Sequence, residues 1–240
     1  MAVIIPKALK KSPLISVAFE LRFDGVEPYN DLFATKIAYA ISRGNINQMK
    51  RLPISQVPEF ARLNDMAFEP VLGFKYYETD ILVGPKVVIV RTPQYKGWSE
   101  FSKIILDVVD CVNLFVARVV RVGFRSIDFF EGERIDDRLN LAVSTSTGGI
   151  SESLKRMSCS FAITYVDGAN RVRLNYANDA TVFDNKKSAK KGSVVDVDAF
   201  CENPVGGVAE TISAIHDLGK KVFFESLKED FVKTMEPEYE

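Results

Sequence analysis

The chain has 240 residues, 47% hydrophobic and 26% charged, a composition that excludes a disordered or fibrous protein and fits an ordinary globular one. Its 31 basic and 32 acidic residues give a formal net charge of -1, so no overall field marks it as a nucleic-acid or membrane binder. No apolar run approaches the ~20 residues that span a bilayer, and a chain of this length buries a sizeable core without disulfides or metals.

The first strand and the first helix are predicted between residues 14 and 44. Residues 14–23, LISVAFELRF, alternate with a period of two and predict a strand with one apolar face. Pro28 begins a stretch with apolar residues at helical spacing, and Gly44 ends it as a helix C-cap would. We therefore expect a strand followed directly by a helix.

A long connection and a hairpin are predicted next. Residues 45–72 contain three prolines and little regular pattern, so we expect them to cross the surface with at most a turn of helix. The runs FKYYETDILVG and KVVIVRT, joined around Gly84-Pro85, predict two paired strands.

The only tryptophan, Trp98, stands where the next helix is predicted to begin. From Trp98 onward apolar residues recur at steps of three and four, which predicts an α-helix with one apolar stripe. This spacing favours Trp98 as the first core residue of the helix, with Tyr95 packed against its start and Gly97 allowing a sharp turn. The alternative is that Tyr95 and Trp98 form an aromatic binding platform.

Two arginines share one face of the strand that follows. In residues 117–130, ARVVRVGFRSIDFF, the alternation places Arg121, Gly123 and Arg125 on the same side. Guanidinium groups about 13 Å apart along a strand could grip a phosphate or a carboxylate of a partner. The alternative, favoured because structural ion pairs are common, is that each arginine pairs with an Asp or Glu of a neighbouring element. The pair is still our first candidate for a functional surface.

A charged connector is predicted to separate two halves. Residues 1–130 form the N-terminal half, 131–150 the charged and polar connector, and 151–240 a strand-rich half that ends in a helix. In the last helix Gly219 is expected to bend or divide the segment, and the acidic tail EPEYE is expected to fray. The element order predicts an α+β fold, mainly antiparallel sheets with helices packed on one face, in two loosely similar halves.

One basic and one acidic cluster are candidate binding sites. Between two strand-like runs the segment DNKKSAKKG carries four lysines: Lys186, Lys187, Lys190 and Lys191. They could contact nucleic acid, but no aromatic residues are interleaved, so a solvated hairpin loop is favoured. The acidic residues of the connector alternate with Arg134 and Arg138, which favours a solvated linker over a cation site.

The chain offers no recognisable catalytic constellation. His216, its only histidine, is followed by Asp217 on the predicted last helix, where adjacent side chains are not expected to face each other. We expect His216 to be a packed or capping residue. There is no G-x-S-x-G elbow, Walker loop, Rossmann glycine pattern or H-E-x-x-H motif, and we predict neither a cofactor nor a metal.

The cysteines and the N-terminal segment indicate the compartment. Cys111, Cys159 and Cys201 are widely spaced, without a C-x-x-C pattern, which favours free thiols in a reducing environment. The segment MAVIIPKALKKSPL lacks the apolar core and cleavage site of a signal peptide. The sequence therefore predicts a cytoplasmic location.

The segments YKGWSEF and RVGFRSI carry a family resemblance. With Y-x-G-W-x-x-F at residues 95–101, R-x-G-x-R-x-I at residues 121–127 and S-P-L at residues 12–14, the chain resembles a sporadically distributed prokaryotic and phage family of unknown function. Ser126 stands where that family usually has a tyrosine. The resemblance implies no activity; its patchy distribution implies a context-dependent role, such as part of a defence or toxin-control locus.

Two functions follow as hypotheses. The first is a non-catalytic cytoplasmic binding or interaction protein that works with a protein partner or a second copy of itself, since strand edges need covering. The alternative is an enzyme or sensor for a phosphorylated or nucleotide ligand, a small anion held by Arg121 and Arg125, with Asp128 or Glu20 as the base. Nucleic-acid binding through the lysine cluster ranks third.

Overall fold

The computed structural model describes residues 4–24, 30–45, 49–62, 64–141, 158–183 and 188–239. Its helices are α1 (Asp31–Ile41), α2 (Trp98–Asn113), α3 (Val208–Ser226) and α4 (Glu229–Thr234). Its strands are β1 (Ala8–Leu9), β2 (Leu14–Asp24), β3 (Lys50–Arg51), β4 (Leu72–Tyr76), β5 (Thr79–Gly84), β6 (Val87–Thr92), β7 (Arg118–Glu131), β8 (Ser160–Asp167), β9 (Asn170–Phe183), β10 (Ala189–Glu202) and β11 (Pro237–Glu238).

One nine-stranded sheet runs through both predicted halves in the order β3-β4-β5-β6-β2-β7-β10-β9-β8. Every neighbouring pair in it is antiparallel. The predicted α+β fold with antiparallel pairing is therefore confirmed. β7 pairs with β10 from Arg121 opposite Glu202 to Glu131 opposite Gly192, so strands from the two predicted halves belong to one sheet.

All four helices cover the same face of this sheet. On β2 the apolar side chains predicted to share one face, Val17 to Phe23 in steps of two, are at most 1% exposed. Phe33 of α1 lies 6.4 Å from the ring of Phe23, and Phe101 of α2 lies 6.4 Å from the ring of Phe124. α4 joins them through a ring contact to β7. The amphipathic stripes of helices and strands thus meet in one core.

The predicted interruption at Gly219 is wrong, because α3 is continuous from Val208 to Ser226. A Cβ atom at Gly219 would lie 3.3 Å from the Cβ of Ala199 on β10. The missing side chain therefore lets α3 approach the sheet closely, and the glycine serves packing rather than bending.

The predicted strand pair joined around Gly84-Pro85 is present as β5 and β6, and the first run adds a third strand, so the segment is a three-stranded meander. The run FKYYETDILVG folds into β4 and β5 around a turn at Tyr77 and Glu78, which have positive φ angles of 47° and 62°. Neither residue is a glycine or asparagine, so the usual signal of this turn is missing from the sequence.

The long connection between α1 and β4 lies partly against the sheet face opposite the helices. It contains short 3₁₀ turns, and the guanidinium of Arg22 on β2 lies 4.8 Å from the ring of Phe68. Arg62 binds the carboxylate of Asp31 with two hydrogen bonds of 2.6 and 3.0 Å, which ties the connection to the start of α1. The connection also contains β3, which pairs with β4, and three 3₁₀ turns, so the expectation of at most one turn of helix is wrong.

The two ends of the described chain meet in a second, two-stranded sheet. β1 pairs with β11 in antiparallel register, with Ala8 opposite Glu238, and the amide of Lys7 donates to the Glu238 carbonyl over 2.7 Å. The predicted fraying of the tail is therefore wrong for these residues. In the described ranges, no helix has both the length and the apolar character needed to cross a membrane.

Candidate ligand-binding site

A cavity of about 540 Å³ lies on the helix face of the sheet, beside its centre. Its walls come from β2 and β7, from the residues around the start of α2, from the middle of α3 and from residues 7–14 next to β1. A volume of this size is typical of small-molecule sites, which range over roughly 300–1,000 Å³.

Asp128 contributes a buried carboxyl group to this cavity. It lies on the helix face of β7, between Leu14 of β2 and Val195 of β10, and is only 4% exposed. Its carboxyl makes no hydrogen bond or ion pair with any residue of the described chain, and its oxygens keep some accessible surface on the cavity side. Burial, with a smaller contribution from the charge of Asp196, raises the pKa of Asp128 to about 8. At neutral pH the group is mostly protonated and can both donate and accept a hydrogen bond.

The other end of the cavity is aromatic. The indole of Trp98 stacks on the imidazole of His216, with ring centroids 3.8 Å apart and an angle of 12°. Its ring also meets Phe124 edge-on at 5.7 Å. Trp98 is the first residue of α2, preceded by Gly97 at a φ of 113°, so it packs at the helix start as predicted and lines the cavity as well.

Tyr95 packs where the sequence predicts. Its ring lies edge-on to Phe101 of α2, with centroids 5.9 Å apart, and burial raises the pKa of its hydroxyl to about 12. It also lines the cavity, which it shares with Trp98. Both rings therefore pack at the start of α2, as the core interpretation predicts, and both also line the cavity; a role in binding stays a prediction.

His216 is packed, as predicted, but its contact with Asp217 is not. The Nδ1 atom of His216 lies 2.9 Å from Oδ1 of Asp217, although adjacent helical side chains were expected not to meet. Nδ1 is the ring nitrogen closest to the backbone, which puts it within reach of the short neighbouring side chain. Burial lowers the pKa of His216, and the nearby carboxylate opposes part of that shift.

Lys220 lies one helical turn after His216, so both residues face the cavity from α3. Burial lowers the pKa of Lys220, with Asp217 acting in the opposite direction. Two further lysines, the exposed Lys7 and Lys96, also line the cavity. Within the described ranges none of the three forms an ion pair, so three ammonium groups face one carboxyl.

Arg121 and Arg125 lie on the opposite face of the sheet. Arg121 pairs with Glu20 and with Asp198, the latter at 3.0 Å, and Arg125 grips Asp196 through hydrogen bonds of 2.7 and 2.8 Å. Both arginines therefore form ion pairs with carboxylates of neighbouring strands, which the sequence analysis gave as the alternative to ligand binding. The sheet also separates them from Tyr95 and Trp98, so the four candidate residues do not form one site. Of the two proposed bases, Glu20 belongs to this ion-pair cluster and Asp128 to the cavity.

The lysine cluster is only partly a loop. Lys190 and Lys191 are in β10, and the amino group of Lys190 lies 2.8 Å from a carboxylate oxygen of Glu131. Lys186 and Lys187 fall outside the described residues. The exposed loop predicted for the four lysines is therefore wrong for the second pair, which extends the sheet.

Two comparisons with known proteins identify no relative of this chain. A scan against models of protein families and a search of curated proteins find no match to the chain. The family resemblance at residues 95–101 and 121–127 stays a prediction. Among the described side chains, no group of three or more His, Cys, Asp or Glu is placed to hold a metal ion.

The sequence does not predict that Asp128 lines a cavity. It suggests Asp128 only as a candidate base beside Arg121 and Arg125. The available signal was its position in the alternation of β7, where Val122, Phe124 and Asp128 share the buried face. A carboxyl at a core position of a strand is rarely retained without a partner.

Proposed function

We propose that this protein is a non-catalytic cytoplasmic binding protein whose cavity between β7 and helices α2 and α3 holds a small organic ligand. One observation carries the proposal: the carboxyl of Asp128 is buried at a cavity wall without a hydrogen-bond partner. Most nearly buried polar groups in folded proteins are hydrogen-bonded within the protein. A nearly buried carboxyl that has no protein partner and faces a cavity is therefore available to hydrogen-bond a ligand.

The composition of the cavity wall supports binding without catalysis. Covalent catalysis by a hydroxyl requires a base within hydrogen-bond reach. In the described structure, none of the wall hydroxyls, those of Ser12, Tyr95 and Ser126, bonds to His216, whose one hydrogen bond goes to Asp217. The three cysteines are free thiols, which supports the cytoplasmic location.

The alternative site at Arg121 and Arg125 receives less support. Their guanidinium groups already bind carboxylates, so an anionic ligand would have to displace those partners. The cavity needs no such exchange. We therefore place the ligand on the helix face.

Cavity filling tests the proposal. Native mass spectrometry of the protein, incubated with a metabolite extract, should show a bound small molecule, and the fluorescence of Trp98, the only tryptophan, should change on binding. Ser126→Phe, which puts a ring into the cavity, should abolish both signals. The matched control Ser213→Phe, on the exposed side of α3, should keep them. Equal binding by both variants, or none by the folded wild type, would refute the proposal.

A further inference from the structure

We propose that the ligand of this cavity is a phosphorylated heteroaromatic molecule, of the size of a nucleoside monophosphate, with its ring edge at Asp128 and its phosphate at Lys220 and Lys96. This inference rests on the proposed function and adds the chemistry of the ligand.

The charge of the cavity wall favours an anion. Lys7, Lys96 and Lys220 carry positive charge there, and the opposing carboxyl of Asp128 is mostly protonated at neutral pH. Within the described chain these lysines have no ion-pair partners. A phosphate monoester carries a charge of about -1.5 to -2 at pH 7, which matches this excess better than a single carboxylate does.

Of the three lysines, Lys220 should contribute most to selectivity for an anionic ligand, because it is the most buried. It is partly buried and has lost enough hydration for its pKa to fall, whereas Lys7 and Lys96 are exposed. An anion beside it would restore favourable electrostatics in a region of low dielectric, where ion pairing is stronger than in water. The two exposed lysines contribute mainly to attraction of the ligand and are screened by salt.

The apolar wall favours a flat ring. Leu14, which lies directly opposite Asp128 on β2, gives the Asp128 end of the cavity an apolar wall, and Phe224 of α3 lines the cavity as well. A flat ring that bonds Asp128 is buried against this apolar wall, while Trp98 and Phe124 border the opposite end, where the phosphate is placed.

Asp128 specifies a heteroaromatic edge. A protonated carboxyl presents one donor and one acceptor side by side, which matches a ring nitrogen next to an N–H group. Along β7 the Cα atoms of Phe124 and Asp128 are about 13 Å apart. Phe124 packs against Trp98, so a ligand that bonds Asp128 and also reaches Lys96, two residues before Trp98, must span a similar distance. Such a ligand is elongated, with polar groups at both ends. A nucleoside monophosphate has this shape.

The test is calorimetric titration in low salt with the nucleoside 5′-monophosphates, the matching nucleosides, inorganic phosphate and benzylamine. We expect at least one monophosphate to bind at least tenfold more tightly than its nucleoside and than inorganic phosphate, and to change Trp98 fluorescence. Lys220→Met should remove this tenfold preference, whereas Lys221→Met, at an exposed neighbouring position outside the cavity, should leave it intact. Asp128→Asn should change the ranking of the bases.

The outcomes separate the two proposals. Tighter binding of a nucleoside or benzylamine, unaffected by Lys220→Met but abolished by Ser126→Phe, would overturn the ligand class and leave the cavity as a binding site. Binding of inorganic phosphate as tight as that of the monophosphates would show a simple anion site and also overturn the class. If no probe binds, the assignment is wrong; if the extract experiment also yields no cavity-dependent ligand, the proposed function falls with it.

Discussion

Replacing the buried carboxyl by an amide, Asp128→Asn, should remove a pH-dependent cost of folding. The carboxyl has a pKa of about 8 in the folded protein against an ordinary value of 3.8. Between these values the unfolded chain releases a proton that the folded protein keeps. The unfolded state then binds fewer protons, so the free energy of unfolding of the wild type falls as pH rises from about 4 to about 8.

The size of the effect follows from the pKa difference. Each pH unit between 3.8 and 7 costs 1.36 kcal/mol, so the wild type loses about 4 kcal/mol at pH 7 relative to a side chain that cannot ionise. Asn has nearly the same shape and no charge. The variant should match the wild type near pH 4 and exceed its free energy of unfolding by about 4 kcal/mol at pH 7.

Urea unfolding followed by circular dichroism at half-unit steps from pH 4.5 to 8.5 measures this difference. Asp110→Asn, at an exposed position of α2, is the control and should give a difference close to zero at every pH. A constant gap between wild type and Asp128→Asn across the series would refute the reasoning, because it would show that the carboxyl ionises alike in both states.

Three further outcomes are expected. Arg121→Ala should lower the free energy of unfolding in urea by about 2 kcal/mol, because Asp198 loses its ion-pair partner and Glu20 keeps only Arg22. Arg125→Ala should cost less than about 1 kcal/mol, because 52% of that side chain is exposed and Asp196 keeps the amide of Asn175 as a hydrogen-bond donor; equal losses would contradict this ranking. Burial lowers the pKa of His216 in the folded protein, so the unfolded chain binds more protons and the free energy of unfolding falls as pH falls below 6.5; His216→Gln should therefore reduce the change in urea midpoint between pH 7.5 and 5. Gly219→Val should destabilise by about 1–3 kcal/mol through a clash with β10, and an unchanged melting temperature would show that α3 can shift outward.

The regular elements were predictable where the pattern of one segment was sufficient. The alternation in residues 14–23 identifies β2, and the three-and-four spacing after Trp98 identifies α2. In both segments the spacing of apolar residues is enough to predict which face is buried. The turn at Tyr77 and Glu78 was missed because its positive φ angles are held by the pairing of β4 with β5 and not by glycine.

The site required information that no single segment carries. The ion-pair partners of Arg121 and Arg125 lie on β2 and β10. Only the strand order could therefore show that both arginines are already paired with carboxylates. The alternation of β7 separates two faces but does not say which of them the helices leave partly open as a cavity. The meeting of Asp128, Lys220 and Trp98 is a property of the packing of α2 and α3, and the sequence predicts neither their angle nor their distance from the sheet.

The position of β2 in the middle of the sheet affects how the protein folds during synthesis. Glu20 on this strand is separated by 101 residues from Arg121, its partner on β7. The apolar face of β2 therefore leaves the ribosome long before its neighbouring strands, β6 and β7, have been synthesised. Contacts of such high sequence separation slow folding, because the intervening chain loses entropy before any pairing energy is gained. We expect maturation to be slow and to benefit from chaperones that shield this first strand.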